Sequence, residues 1–289
     1  MRKIICSGAI WLLMTGSITA QQLQGKAWAP LAGRRDIDKM CVVDSGNVRV
    51  LYAFNAKDIN DAESYIDMQR LELGTRLSKY YSYWVFNNDS LVWAWLKKNP
   101  HAQSVPMKLG ASGRMSDYWS EYKFSEYFKD YETNLLTEYA RMPRQGMVTN
   151  CKYSERIPIQ KWEIVSDTLT VNSYLCQKAT CYFRGRKYTA WFTMEIPVSN
   201  GPWKFGGLPG LILKVYDSQK LYTFECVKVE NFKYVIRKFD FKTFKTVERL
   251  KLLKYQRMFN ENFYKTAGLI PLNSGKRPSP ISYEPLELY

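Results

Sequence analysis

Carboxylates are the residues here best equipped to do chemistry. Glu121, Glu126, Glu138 and Glu195 each lie among aromatic neighbours. Two such side chains suffice for glycoside hydrolysis, one delivering a proton and the other activating water or attacking directly. Linear spacing does not say which two meet, and a glutamate on a strand ordinarily faces water. Other chemistries find less material. His101 is the single histidine, in the loop Asn99-Pro100-His101-Ala102, so a serine or cysteine relay has one poorly placed base. Neither G-x-S-x-G nor H-E-x-x-H occurs. Asp58-Ile59-Asn60-Asp61 is too short for a calcium loop and lacks its glycine. No metal site and no cofactor are expected. Cys176, with Lys178 two residues on, is the one candidate thiolate, and a disulfide or core burial accounts for it better.

Binding chemistry concentrates elsewhere. Arg184, Arg186 and Lys187 cluster at one turn, followed by Tyr188, Trp191, Trp203 and Phe205. Guanidinium forks match carboxylates and phosphates. Aromatic faces stack on sugars or pack against peptide side chains. These seven residues form the expected ligand- or partner-binding site. The competing reading is that the arginines suit a solvent turn and that Trp203 staples a Gly-Pro loop onto the core.

The elements that would position these residues run from Asn172 to Asn231. Ser173–Phe183 and Tyr188–Glu195 read as strands around the tight turn Arg184-Gly185-Arg186-Lys187. Gly201-Pro202-Trp203-Lys204-Phe205-Gly206-Gly207-Leu208-Pro209-Gly210 interleaves glycine and proline with large apolar residues, so it is a shaped loop and not a linker. Leu211–Tyr216 and Leu221–Val229 follow as strands around Asp217–Lys220. The runs Cys176–Ala179, Phe183–Arg186, Tyr188–Phe192, Ile196-Pro197 and Gly201–Ile212 resemble the GLPGLI family, exported proteins mostly of Bacteroidetes, named for the residues Gly207, Leu208, Pro209, Gly210, Leu211 and Ile212. The resemblance is dense over about 60 residues and implies an exported protein without implying an activity. It also suggests kinship with a bowl-like β module at the N-terminus of some secreted bacterial glycan-removing amidases, hence an accessory role.

Elsewhere, Met40–Phe54, Met68–Leu73, Leu77–Phe86, Tyr118–Phe128, Leu135–Met142 and Phe232–Phe241 are predicted strands, rich in β-formers. Asn88-Asp89-Ser90 caps a short helix over Leu91–Lys98. Lys242–Lys265 has the helical period at Phe244, Val247, Leu250 and Leu253. The predicted fold is mainly β with a few helices: an antiparallel curved sheet, half-barrel or bowl, with a short middle helix and a C-terminal amphipathic helix.

The chain has 289 residues, 46% of them hydrophobic, ample for one sizeable core. Met1–Ala20 has the basic, apolar and small-residue regions of a signal peptide. Residues 21–273 are expected to form one β-rich domain and residues 274–289 a Pro-rich tail. The protein is expected to be exported, to the periplasm, the outer membrane or the medium. Its net charge of +15 favours an envelope protein, a glycan or an anionic ligand as partner. Nucleic acid is not expected in that compartment, nor is a transmembrane span. Of the cysteines beyond the signal peptide, Cys176 and Cys181 lie five apart on one strand. At ~3.4 Å per residue they are ~17 Å apart, beyond the ~7 Å limit for bridging. A Cys176–Cys226 disulfide between neighbouring strands is the candidate pairing. Together these features predict a non-catalytic ligand- or partner-binding module rather than an enzyme. The alternative is a secreted carboxylate-dependent hydrolase acting on glycans or peptides.

Overall fold

A computed structural model describes residues 29–105, 119–145, 148–271 and 275–289. The signal peptide expected at residues 1–20 lies outside the described residues. Within the described residues, twelve strands form one sheet: β1 (Cys41–Phe54), β2 (Asp67–Leu73), β3 (Leu77–Ser82), β4 (Ser125–Asp130), β5 (Leu135–Ala140), β6 (Cys151–Arg156), β7 (Glu163–Val171), β8 (Tyr174–Phe183), β9 (Arg186–Thr193), β10 (Leu211–Asp217), β11 (Thr223–Lys238) and β12 (Lys245–Thr246). Their spatial order is β12-β6-β5-β4-β3-β2-β1-β11-β10-β9-β8-β7. Every pairing is antiparallel except the short parallel β12–β6 contact at one edge. Helices α1 (Tyr83–Lys98), α2 (Glu121–Phe124) and α3 (Arg249–Thr266) complete the fold. The mainly β fold, its antiparallel sheet and its two longer helices are as the sequence predicts.

The sheet is open, yet it is strongly curled. β6 and β8 stand nine places apart in the strand order. At ~4.8 Å per strand a flat sheet would separate them by roughly 43 Å. Instead Arg184, in the turn after β8, donates to Glu155 of β6 at 2.5 Å. Three register shifts between β1 and β11, at Val42/Asp44, Gly46/Val48 and Leu51/Tyr52, add local twist at the middle of the sheet. The main core fills the enclosed face with Val50, Tyr52, Phe54, Tyr188, Phe192, Phe205, Leu211 and Phe224 among others. A second core packs Leu252, Phe259 and Phe263 of α3 against Trp119, Phe124 and Tyr153.

Several predicted boundaries move. The strand expected over Leu77–Phe86 stops at Ser82, and α1 starts at Tyr83, eight residues before the expected Leu91. Ser82 Oγ accepts from the Val85 amide at 3.1 Å, so the working N-cap is Ser82 and not the Asn88–Ser90 cluster. Leu221–Val229 and Phe232–Phe241 merge into the single strand β11. β6, not foreseen, forms at Cys151–Arg156, and α3 begins at Arg249 and not at Lys242. Among the described residues, no helix is long and apolar enough to cross a membrane.

Candidate functional site

The shaped loop between β9 and β10 is anchored from all sides. Arg184 (φ 50°) and Gly185 (φ 85°) form the two-residue turn between β8 and β9, the left-handed pair that a tight hairpin needs. From that turn the strand's alternation sorts the predicted binding residues. Arg186 and Tyr188 point inward and are buried, while Lys187 is exposed and Trp191 half-buried on the other face. Arg184 is half-buried at the turn. Trp203 and Phe205 are buried in the loop, 5.2 Å apart between ring centroids. The seven residues therefore do not share one surface. Arg184, Arg186, Tyr188, Trp203 and Phe205 belong to the inner face; Lys187 and Trp191 do not.

Four of the six signature residues serve packing. Leu208, Leu211 and Ile212 are in the core, and Tyr52 pins the Ile212 carbonyl with a 2.7 Å hydrogen bond. A Cβ on Gly210 would stand 2.1 Å from the Thr193 carbonyl oxygen. Gly207 and Pro209 are exposed at the loop surface.

Between this loop, α3 and residues 283–287 lies a small cleft, of about 20 Å³. Two of the four candidate carboxylates meet there, Glu121 of α2 and Glu138 of β5. Glu138 faces the same side of the sheet as its cross-strand partner Tyr127, which also lines the cleft. One turn of α3 serves both carboxylates. Gln256 Nε2 donates to Glu138 Oε1 at 2.9 Å, and Asn260 Nδ2 donates to Glu121 Oε2 at 2.7 Å, the i,i+4 spacing that puts two side chains on one helix face. Ser125 Oγ donates to Glu138 Oε1 at 2.8 Å, and the Tyr283 hydroxyl donates to Glu121.

The electrostatics of the two differ. Among the described residues Glu121 has no cation partner. Burial, reinforced by the neighbouring Glu138 charge, pushes its carboxyl up to about 7 against the hydrogen bonds that favour ionisation. Glu138 Oε2 faces the buried Lys204 ammonium at 3.4 Å. Lys204 also donates to the Tyr153 hydroxyl at 2.6 Å and to Glu287. Glu287 in turn takes a 2.6 Å bond from Arg249. Sequence reasoning named Glu121 and Glu138 among its candidates but missed Lys204, Gln256, Asn260, Tyr283 and Glu287. The one available signal was Lys204, a lysine inside an otherwise apolar and glycine-rich loop.

The remaining candidates go elsewhere. Glu126 points to the opposite face, paired with Arg35 and with Lys79 at 3.3 Å. Glu195 is exposed and accepts from the Leu175 amide. His101 is exposed. The five cysteines among the described residues are all free thiols, so the expected Cys176–Cys226 bridge is not formed. The assumption of neighbouring strands fails: β9 and β10 separate β8 from β11. Burial pushes Cys176 up to about 11, and Lys178 is turned toward Asp167 at 2.6 Å, so neither condition for a thiolate nucleophile holds.

A family model described as "Protein of unknown function (Porph_ging)" matches residues 184–214, from the β8–β9 turn into β10. That description is not the GLPGLI one. No curated protein matches the chain. Two solved structures of PNGF-II, in the P21 and C2 space groups, are similar to this chain. Each shows 14% identity and a TM-score of 0.45 over 76% of this chain and 34% of the other. The chain thus spans about a third of the length of the PNGF-II chain. Against that likeness the expectation that this protein is more an interaction module than an enzyme is withdrawn.

Proposed function

We propose that the protein is an exported, carboxylate-dependent hydrolase acting on glycans or peptides, with Glu121 and Glu138 as its working pair. The observation that carries the reading is that two buried carboxylates share one cleft, yet one has no cation partner among the described residues and the other faces one. Divergent environments of this kind separate acid from base on one fold. Glu121, half-protonated at about pH 7, gives its proton to the leaving atom of the scissile bond. Glu138 takes a proton from the attacking water, whose oxygen bonds to the electrophilic carbon. Lys204 balances the charge at Glu138, and Gln256 and Asn260 hold the two carboxyl groups in place. Leu253 and Arg257 of α3 stand at the cleft, with Arg257 exposed to an incoming substrate. The aromatic walls, Tyr122, Tyr127 and Trp203, offer faces to a sugar ring or an apolar side chain.

The test is turnover by the purified chain across panels of oligosaccharides, glycopeptides and peptides, beside Glu121→Gln and Glu138→Gln. The expected result is hydrolysis of one class, reduced about 10²- to 10⁴-fold in each variant, with thermal unfolding retained. Activity should fall as pH rises through about 7, where Glu121 loses its proton. A wild-type chain inert on all panels, or a Glu121→Gln variant of full activity, refutes the assignment.

A further inference from the structure

Residues 281–289, Ile-Ser-Tyr-Glu-Pro-Leu-Glu-Leu-Tyr, belong to none of the twelve strands. They cross the inner face as a strap, and Tyr283, Pro285, Leu286 and Glu287 form one wall of the cleft. Much of what holds them contacts their backbone. Arg186 donates twice to the Pro285 carbonyl, at 2.6 and 3.1 Å. The Tyr188 hydroxyl donates to the Leu286 carbonyl at 3.2 Å, and the Tyr222 hydroxyl to the Glu284 carbonyl. The Leu288 amide donates to the Arg184 carbonyl at 3.0 Å.

Side-chain pockets supply the rest. Leu286 enters the main core. Glu287, only 4% exposed, is held by Lys204 and Arg249, with Arg184 Nε at 3.7 Å. That Arg184 Nε is buried and makes no hydrogen bond among the described residues, so the glutamate pocket keeps a donor in reserve. Glu284 takes a 3.1 Å bond from Arg186. Backbone groups read by fixed donors, with pockets for selected side chains, are the pattern by which proteins bind extended peptides. Charge agrees: the strap carries Glu284 and Glu287 and no lysine or arginine, on a chain of net charge +15.

We propose that the groove lined by Arg184, Arg186, Tyr188, Lys204, Tyr222 and Arg249 is a recognition site for extended acidic peptides of the Glu-Pro-Leu-Glu kind. Residues 283–288 occupy it in cis. A tethered segment competes at an effective concentration on the order of millimolar, so a free peptide gains the site only when the strap is released. The proposal does not rest on the hydrolase reading, because peptide binding is measured without any substrate turnover.

The full chain, with a specific protease site inserted between the exposed Gly275 and Lys276, is folded intact and then nicked. Fluorescence anisotropy follows rebinding of a labelled synthetic peptide of residues 276–289 to the body freed of its strap. The expected result is one-to-one binding, at least tenfold weaker when the peptide carries Glu287→Gln or the body carries Arg186→Ala, with the body still unfolding cooperatively. Three outcomes overturn the proposal. One is loss of the body's cooperative transition once the strap is removed, which makes the strap an inseparable piece of core. The others are a Glu287→Gln peptide that binds as well as the native one, and a body that takes up no peptide at all.

Discussion

Glu121 and Lys129 show what burial does to single ionisable groups in this fold. Glu121 titrates at about 7 in the native state, above the ~4.3 of an unfolded glutamate. Between those values the native chain holds a proton that the unfolded chain has lost. Its contribution to stability is therefore complete below about pH 4.3 and is lost as pH rises through 7. Asp67, pushed up to about 7 by burial, acts in the same sense. Lys129 runs the other way. It is buried with Asn200 Oδ1 at 2.8 Å and the Phe205 carbonyl as its acceptors, and burial lowers it to about 7. The unfolded chain then binds more protons from pH 7 up to about 10.4, so stability rises across that window. Replacing Glu121 by Gln should flatten the decline in urea midpoint between pH 4.5 and 7, leaving the share due to Asp67. Parallel curves for variant and wild type over that range would show that Glu121 is not the group involved.

At the scale of elements, the β9–β10 connection explains why a short signature can be a packing device and flank a site at once. Leu208, Leu211 and Ile212 commit the signature to the core, while Lys204, a few residues upstream, is the group that reaches Glu138 and Glu287. The β10 entry depends on close backbone approach at Gly210, where a methyl would meet the Thr193 carbonyl at 2.1 Å. Gly210→Ala should cost at least about 2 kcal/mol by denaturant unfolding, because backbone rather than a flexible side chain must move. Lys187→Ala, on the outer face of β9, should change stability by less than about 0.5 kcal/mol. Equal losses in the two variants would contradict the alternation of β9 described above.

At the scale of the molecule, the sheet is an open strip whose distant strands are brought together by side chains and by the strap. Arg184 joins the β8–β9 turn to Glu155 of β6 and approaches Glu287 of the strap. Arg249 of α3 bonds the same Glu287 at 2.6 Å and lies 3.7 Å from Glu155. Among the described residues no ladder of backbone hydrogen bonds closes the sheet, so these charged contacts, together with the core packed on the enclosed face, hold the bowl shut. Arg184→Ala should lower stability by roughly 1.5–3 kcal/mol, the range for hydrogen bonds between charged groups. It should also speed amide exchange in β6 and β8 more than in the central strands β1 and β2. Uniform acceleration across the sheet would assign Arg184 no closing role.

What the sequence determined by itself is local in origin. Alternation and turn chemistry suffice for a β-rich chain, for the Arg184-Gly185 turn and for a helix near the C-terminus, because those patterns act over a few residues. Aromatic surroundings also marked Glu121 and Glu138 as candidates. Only the tertiary structure decided that these two meet while Glu126 and Glu195 do not, since strand register and sheet curl bring α2, β5 and α3 to one cleft. The same curl decided that Arg184 and Arg186 face residues 283–288, roughly a hundred positions away in the chain. Ion pairing at that separation leaves no periodicity to read. A Pro-rich segment that reads as an extended tail in one dimension becomes a wall of the cleft once the basic groove is folded around it.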